Sequence, residues 1–208
     1  MDLHQIFLYV IDGDAIEVAA GVKSALDEGV NPNEILNRAL IAAMDEVGQR
    51  YESGDFFVPE MLVAARAMQA GLRILKPFLV AAETKRMGKV AIGTVRGDLH
   101  DIGKNLVAMM LEGAGFEVID LGVDVSVEGF VKAAQDGAEI IGMSALLTTT
   151  MSNMKAIIEA LETAGLRDKV KVIIGGAPVT QEYATIIGAD AFASDASSAV
   201  RVARQLIL

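Results

Sequence analysis

The sequence predicts an α/β protein in which an N-terminal bundle of four helices is followed by a five-stranded parallel sheet. Residues 1 to about 84 place apolar side chains at helical spacing. From Lys89 onward, short apolar runs alternate with helical stretches, which is typical of a parallel sheet covered by helices on both faces. Hydrophobic residues make up 52% of the chain, which is enough for a packed core.

Four helices are expected in the N-terminal part. The first two lie in the N-terminal segment and in "AIEVAAGVKSALDEG". The third has a start signal, because Asn31 can cap it, Pro32 suits its first position and Glu34 suits the capping-box position. Gly54 ends this helix. Pro59 begins the fourth, whose apolar stripe comprises Met61, Ala65, Met68, Leu72 and Leu75.

Five strand–helix units are expected in the second part. The strands are "KVAIGTV", "FEVIDLG", "EIIGMSA", "KVIIGG" and "DAFAS". The helices begin near Ile102, Ser126, Thr150, Thr180 and Asp195. The charged break "AETKRMGK" is the expected linker, so the predicted domains are residues 1–88, with the linker, and residues 89–208. Within it, the stretch from Glu83 to Gly88 is a candidate hinge.

Composition excludes several classes of partner and chemistry. The net charge is −10, so the chain lacks the basic face that nucleic acid requires. It also lacks a polybasic segment for an anionic membrane surface. With no cysteine, it has no disulfide, thiolate metal site or Cys nucleophile. No signal peptide is expected, and charged residues interrupt the apolar stretch from Met61, so we expect a cytoplasmic protein.

The unusual loops follow strands one, three and four. These loops are "RGDLHDIGK", "SALLTTT" and "GGAP", whereas "DLGVDV" after strand two carries no unusual chemistry, and "SDASS" follows strand five. Ligands of open α/β sheets bind outside the carboxyl ends of the strands. In the flavodoxin-like order 2-1-3-4-5 the three loops are neighbours, whereas 3-2-1-4-5 separates strand three from the others. A single site therefore favours the flavodoxin-like, Rossmann-like order.

Several functions can be weighed on the first loop. The stretch from Gly97 to Lys104 is not a phosphate loop, because five residues separate its glycines and Asn105 replaces Ser or Thr. A receiver domain would need an acid where Ser144 stands. A flavodoxin phosphate loop disagrees with two acids in this loop. A metal site formed by Asp98, His100 and Asp101 remains open, as does His100 as a hydrogen-bonded loop residue.

The motifs together resemble the cobalamin-binding signature D-x-H-x-x-G, S-x-L and G-G. The matching stretches are Asp98–Gly103, Ser144–Leu146 and Gly175–Gly176, in this order. The resemblance covers nearly the whole chain, because "YESGDFFVPEMLVAARAM" is similar to the cap segment of the same group. The chain thus resembles the corrinoid proteins of methyltransferase systems, including those for methylamines, methanol and O-demethylation, and the cobalamin region of methionine synthase.

The resemblance implies a base-off/His-on cofactor, cobalamin or a related corrinoid. In this family the nucleotide tail leaves the cobalt and inserts into the sheet domain. His100 would then become the lower axial ligand of cobalt, and Asp98 would accept a hydrogen bond from its other ring nitrogen. A hydroxyl near Thr150 would continue this chain. His100 and Asp98 are therefore the two residues expected to take part in the chemistry.

The remaining cofactor contacts are also implied by the resemblance. Gly103, Gly175 and Gly176 would leave room for the tail to pass close to the backbone. Ser144 and Thr148 would hydrogen-bond the buried base. Met61 and Leu62 of the helical cap would cover the upper face of the corrin. The other expected contacts are Gly97, Asp101, Ile102, Leu146 and Ala196.

The function implied is that of a methyl carrier. A donor-specific methyltransferase would place a methyl group on cobalt, and a second methyltransferase would pass it to tetrahydrofolate or a thiol. A reductive activation protein is a further expected partner, and the chain would not be a catalyst alone. Three alternatives stay open: the small subunit of an adenosylcobalamin isomerase, a cobalamin-based sensor, and a flavodoxin-like binding module without cobalamin. The methyl donor is not readable from the sequence.

Overall fold

The computed structural model describes residues 2–81 and 87–207 of the chain. The chain divides into two compact units, one built around the N-terminal helices and one around the sheet. Residues 83–86 of the expected hinge lie outside the described residues. The prediction of helices followed by a parallel sheet is confirmed.

The N-terminal unit contains four helices within its described residues. They are α1 (Leu3–Ile11), α2 (Ala15–Asp27), α3 (the consecutive segments Pro32–Ile35, Leu36–Ile41 and Ala42–Ser53) and α4 (Val58–Ala81). The start of α3 follows the sequence signal, because the Asn31 side chain accepts a hydrogen bond from the Asn33 N–H. Its end does too, since Gly54 adopts a left-handed conformation with φ of 85°.

Two features of these helices differ from the simple expectation. The middle of α3, Leu36–Ile41, is a π-helix, a wider turn that apolar periodicity does not signal. In addition, α4 continues through Pro77, although an interior proline removes a backbone donor and favours a break or kink.

The sheet has five parallel strands in the order β2-β1-β3-β4-β5. This is the flavodoxin-like order that the loops predicted. The strands are β1 (Lys89–Val95), β2 (Glu117–Val125), β3 (Ile140–Ser144), β4 (Lys171–Gly175) and β5 (Ala191–Ala193). The helices that follow them are α5 (Ile102–Gly113), α6 (Val127–Gln135), α7 (Ser152–Thr163), α8 (Gln181–Ile187) and α9 (Ala196–Ile207).

The central strands are buried on both faces. Ala91, Ile141 and Val172 belong to a core cluster that also contains Phe130 of α6 and Ile157 of α7. Residues of the opposite parity in the same strands are buried as well, as successive side chains point to opposite faces. These residues are Val90, Ile92, Ile140 and Ile173. The continuous apolar runs in the sequence therefore reflect double burial, as expected of a parallel sheet.

Strand β2 extends further than the sequence indicated. The apolar run ends at Gly122, but β2 continues to Val125 after register shifts against β1 between Ile92 and Val95. Gly122 has φ of 86° and Asp124 has φ of 52°, so the end of this edge strand is irregular. The stretch "DLGVDV", expected to be an ordinary loop, is therefore part of the sheet beside the first loop.

Candidate functional site

The ends of four strands form one row at the carboxyl edge of the sheet. Thr94 of β1 pairs in register with Ser144 of β3, and Ser144 pairs with Gly175 of β4. Gly175 pairs with Ala193 of β5. The three predicted motifs therefore begin side by side, because each follows one of these strand ends. We call this row of strand ends the floor of the site.

Asp98 lies at the centre of the site, and its side chain is fully buried. Its Oδ2 accepts hydrogen bonds from the Leu146 N–H at 2.7 Å, the Leu147 N–H at 3.2 Å and the Thr150 hydroxyl at 2.9 Å. Its Oδ1 accepts from the His100 N–H at 3.1 Å and lies 2.7 Å from the His100 ring Nδ1. One carboxylate therefore joins the loop after β1 to the loop after β3.

These contacts lower the pKa of Asp98. Burial of the carboxyl opposes ionisation, but the hydrogen bonds from Leu146, from the ring and N–H of His100, and from Thr150 outweigh it. They hold the pKa of Asp98 well below its usual range, so the group is an anion at neutral pH. An ionised carboxylate only accepts hydrogen bonds.

The ionised Asp98 carboxylate determines which nitrogen of the His100 ring carries the hydrogen. Because Asp98 can only accept, the hydrogen of the neutral His100 ring lies on Nδ1, and Nε2 keeps its lone pair. The side chain of His100 is 52% exposed. Within the described part of the chain, Nε2 has no hydrogen-bond partner. The ring thus offers one free basic nitrogen at the carboxyl edge of the sheet.

The Thr150 hydroxyl continues the chain of hydrogen bonds. Its Oγ1 lies 2.9 Å from Asp98 Oδ2 and 2.8 Å from the Leu147 carbonyl oxygen. A hydroxyl has a single proton, and the charged carboxylate is the stronger acceptor. The Leu147 carbonyl also accepts the Thr150 N–H at 3.1 Å. The structure therefore brings together Thr150, Asp98 and His100 from sequence positions far apart.

Two side chains that the sequence did not single out fix the backbone of the first loop. The Asp124 carboxylate accepts the Gly97 N–H at 2.7 Å, and the Asp124 N–H donates to the Asp98 carbonyl oxygen at 3.1 Å. The Asn153 amide donates to the Arg96 carbonyl oxygen at 2.8 Å. Gly97 has φ of 81°, a conformation that suits glycine at this turn. The position of Asp98 is thus determined from both sides.

A buried lysine fixes the other end of the loop. The Lys104 ammonium donates to Asp120 Oδ1 at 2.6 Å and to Asn105 Oδ1 at 2.7 Å, and its side chain is 1% exposed. The Asn105 amide in turn donates to Asp101 Oδ2 at 3.0 Å. The lysine that resembled part of a phosphate loop is therefore bound to β2, and Asp101 is bound within its own helix turn.

The two loops that meet at Asp98 carry exposed apolar residues, which we call the apolar rim. It consists of Leu99, Ile102, Leu146 and Leu147, which are exposed although they are large and hydrophobic. Two of these residues flank His100 in the first loop, and the other two lie in the loop after β3 that binds Asp98. Several large apolar side chains left exposed in loops that also present a basic nitrogen are typical of a ligand surface rather than of ordinary solvent-facing loops.

The motif glycines have different structural reasons. A Cβ on Gly176, where φ is 129°, would overlap the Ala145 carbonyl oxygen, and a Cβ on Gly175 would lie 3.0 Å from the Ala193 carbonyl oxygen. The protein itself therefore requires small residues at both positions. At Gly103 a Cβ would meet no described atom within 4 Å. Packing among the described residues therefore does not explain Gly103.

The other expected contact residues are distributed over both units. Ser144 is half-buried at the end of β3, and Thr148 is exposed in the following loop. Ala196 is buried at the first position of α9. In the helical unit, Met61 is fully buried and Leu62 is half-buried.

Two chemical alternatives can be compared with this arrangement. Among the described residues, no group of three or more His, Asp or Glu side chains could hold a metal ion, which disfavours a site made of Asp98, His100 and Asp101 alone. A group that brings its own metal and needs a single additional ligand does fit. His100 Nε2 would supply that ligand, and the apolar rim would contact the flat body of the group.

No helix of the described residues is long and apolar enough to span a membrane.

Comparisons with known proteins agree with this chemistry. Residues 3–76 and residues 88–203 each match a family model described as a B12 binding domain. The chain is 45% identical over 207 residues to dimethylamine corrinoid protein 3 of Methanosarcina acetivorans. This alignment covers 99% of this chain and 97% of that protein.

Two solved structures share the fold over nearly the whole chain. A cobalamin-binding protein from Desulfitobacterium hafniense DCB-2 is 35% identical, with a TM-score of 0.81 and coverage of 99% of this chain and 98% of that one. A chain of the methanol:cobalamin methyltransferase complex MtaBC from Methanosarcina barkeri is 30% identical, with a TM-score of 0.89 and coverage of 99% and 79%. Both B12-binding domains are matched, and a histidine, its carboxylate partner and the apolar rim lie at the expected edge of the sheet. The chain therefore belongs to the corrinoid proteins of methyltransferase systems.

Proposed function

We propose that this protein carries methyl groups between two methyltransferases on a bound corrinoid. The observation that carries this proposal is His100 Nε2, a free nitrogen on a ring whose Nδ1–H donates to the buried Asp98 carboxylate, in the loops that carry the apolar rim. When bound, the cobalt of the corrinoid supplies the centre that receives and releases the methyl group. The protein supplies a ligand, a fixed orientation and a surface for its partners.

His100 is the proposed lower axial ligand, in the base-off/His-on state. Asp98 orients the ring and favours the tautomer whose Nε2 can bind a metal. Thr150 and the N–H groups of Leu146 and Leu147 keep Asp98 ionised and in place.

The floor of the site is the proposed path of the nucleotide tail. Gly103 leaves open space at the start of α5, Ser144 lies beside Gly175 at the end of β4, and Thr148 offers an exposed hydroxyl in the loop after β3. Ala196 at the start of α9 borders the far end of this row. In the helical unit, Met61 and Leu62 are the proposed contacts to the upper face, and residues 1–88 form the proposed cap domain, with residues 89–208 as the corrinoid-binding domain.

A methylamine is the proposed methyl donor, supplied by its own methyltransferase. This rests on the similarity to a dimethylamine corrinoid protein over almost the full length of both chains. The structural likeness to a chain from a methanol:cobalamin methyltransferase complex supports a methyltransferase as the partner, and makes methanol the competing donor. A second methyltransferase and a reductive activation protein complete the proposed set of partners.

Electron paramagnetic resonance of the loaded protein in the Co(II) state tests the ligand. If a histidine nitrogen binds the cobalt, labelling the protein with ¹⁵N-histidine should change the nitrogen superhyperfine pattern. The chain has two histidines, His4 and His100, so a variant must identify which of them is responsible. His100→Ala should abolish the histidine splitting, whereas the matched control His4→Ala should leave it intact. Splitting that does not respond to the histidine label would come from the cofactor's own base and would refute the His-on assignment.

Transfer assays test the donor. The loaded, reduced protein should accept methyl groups from dimethylamine in the presence of a dimethylamine methyltransferase, followed by the change in the cobalt absorption spectrum. Methanol with its own methyltransferase is the matched comparison. Faster methylation from methanol would overturn the proposed donor while leaving the carrier function in place, and a protein that binds no corrinoid would overturn both.

A further inference from the structure

Within the described residues, every polar atom of His100 except ring Nε2 is bound by another group. Its N–H and its ring Nδ1–H both donate to Asp98 Oδ1, at 3.1 Å and 2.7 Å. The remaining polar atom, the His100 carbonyl oxygen, accepts a hydrogen bond from the Thr94 hydroxyl at 2.9 Å. Asp98 belongs to the recognised motif, whereas Thr94 lies before it, inside β1.

Thr94 is suited to hold a neighbouring residue in place. Its side chain is fully buried, and β1 is paired on both sides, by β2 and by β3. A β-branched side chain has restricted rotation about χ1, so the direction of the hydroxyl is largely set by the strand. A buried hydroxyl also requires a partner, and the carbonyl of His100 is the one it has.

We infer that Thr94 is a positioning residue for His100. This inference rests on the proposed function of His100 as the cobalt ligand. Asp98 restrains His100 through its N–H and its ring Nδ1–H, but neither contact holds its carbonyl group. The Thr94 hydroxyl anchors the same residue to the central strand from its carbonyl side, so the direction of Nε2 is restrained at both ends of the residue.

Substitutions at Thr94 separate the hydroxyl from the shape of the side chain. Thr94→Val removes the donor and keeps the branched shape, so the His100 carbonyl loses its partner and the loop shifts to reach water. Thr94→Ser keeps the donor and should restore wild-type behaviour. Thr94→Ala is a second variant without the donor. Thr163→Val is the matched control, because the Thr163 hydroxyl also donates to a carbonyl, that of Glu159 at 2.8 Å, within α7.

The readout is taken on the protein without cofactor, so it does not depend on corrinoid chemistry. Nitrogen–proton correlation spectra of the imidazole rings report which nitrogen carries the hydrogen, and His4 is an internal reference. The wild type, Thr94→Ser and Thr163→Val should show His100 in the Nδ1–H form. In Thr94→Val and Thr94→Ala the share of this form should fall and the ring resonances should broaden, while the amide spectrum stays that of a folded protein.

The loaded protein gives a second readout. Thr94→Val should bind corrinoid about tenfold more weakly, the lower end of the range for groups that orient a metal-binding histidine. It should also lose part of the histidine splitting in the Co(II) state. Wild-type tautomer populations and line widths in both Thr94→Val and Thr94→Ala would overturn the inference. A wild type without histidine splitting would instead refute the proposed ligand, and the tautomer experiment would still decide the role of Thr94.

Discussion

At the scale of single residues, the motif glycines differ in whether the fold itself requires them. Gly176 cannot carry a side chain, because φ is 129° and a Cβ would overlap the Ala145 carbonyl oxygen. Gly103 lies in the first turn of α5 and could carry one without meeting any described atom within 4 Å. A helix is normally more stable with alanine than with glycine, so Gly103 lowers stability without a reason inside the protein.

Alanine substitutions at these two glycines should therefore have opposite signatures. Gly176→Ala should lower the free energy of unfolding by about 2–4 kcal/mol, because backbone strain adds to overpacking. Gly103→Ala should leave the cofactor-free protein as stable or raise its stability by up to about 1 kcal/mol, yet weaken corrinoid binding. Urea denaturation and corrinoid titration of both variants make the comparison. Undiminished binding by Gly103→Ala would show that no bound group approaches this position.

At the scale of elements, the ion pair between α5 and β2 has unequal partners. Lys104 is 1% exposed, whereas the Asp120 side chain is 48% exposed. Burial of the Asp120 carboxyl opposes ionisation, but hydrogen bonds from Lys104 and the Gly122 N–H, together with the charge of Lys104, outweigh it and lower the pKa of Asp120. The cost of breaking this pair falls on the buried ammonium, which would keep only the Asn105 side chain as partner.

Removing Asp120 and removing Lys104 should therefore lower the free energy of unfolding by different amounts. Asp120→Asn leaves the ammonium buried without its counter-charge and should cost about 1–3 kcal/mol of unfolding free energy, less than for a fully buried pair. Lys104→Met removes the charge and keeps the apolar stem, so its cost should be smaller. Because the pKa of Asp120 is lowered on folding, its contribution is present above the unfolded value of about 3.9 and is lost as the pH falls below it.

Urea denaturation at several pH values checks this prediction. The difference in unfolding free energy between the wild type and Asp120→Asn should be largest at neutral pH and should shrink as the pH falls below about 4. Asp136→Asn is a suitable control, because the ion pair of Asp136 with Lys132 is exposed on both sides and should contribute little. A larger loss of unfolding free energy in Lys104→Met than in Asp120→Asn would contradict the explanation that the cost comes from a buried ammonium without its counter-charge.

The same elements show how far a sequence can be interpreted. Strand order followed from three unusual loops, and the cap of α3 followed from Asn31 and Pro32. The roles of Thr94 and Asp124 did not follow, because each depends on register. Asp124 reaches Gly97 across 27 positions only because the bulge in β2 turns its irregular end toward the first loop. Local periodicity does not encode such a bulge, and the π-helical turn of α3 was missed for the same reason.

At the scale of the whole molecule, the two B12-binding domains carry different proposed tasks. All the residues that bind Asp98, and those that anchor the first loop, lie in the sheet unit. This unit also has its own core, which includes Phe130, Ile141, Ile157 and Val172. We therefore expect the second domain to be sufficient for corrinoid binding, whereas shielding of the cofactor is the task proposed for the first.

Separate expression of residues 87–208 tests this division. The fragment should fold, bind corrinoid and show histidine splitting in the Co(II) state, because the entire chain of hydrogen bonds is retained. Its reduced cofactor should oxidise faster in air than that of the full chain, because the proposed cap is missing. Equal oxidation rates for the fragment and the full chain would contradict a shielding role for residues 1–84, and a fragment that folds without binding corrinoid would contradict the division itself.

The carboxylate of Asp98 has a consequence for the exchange of amide hydrogens with solvent. Leu146 and Leu147 have exposed side chains in a loop outside the sheet, where amides normally exchange quickly. Both of their N–H groups donate to a buried anion that lies 48 and 49 positions earlier in the chain. Their hydrogens should exchange only when the bonds to Asp98 open, and we expect an opening that displaces the Asp98 carboxylate to free the His100 ring as well. The exchange rates of these two amides should therefore report how often the Asp98 carboxylate is displaced, and they can be measured in the absence of any cofactor.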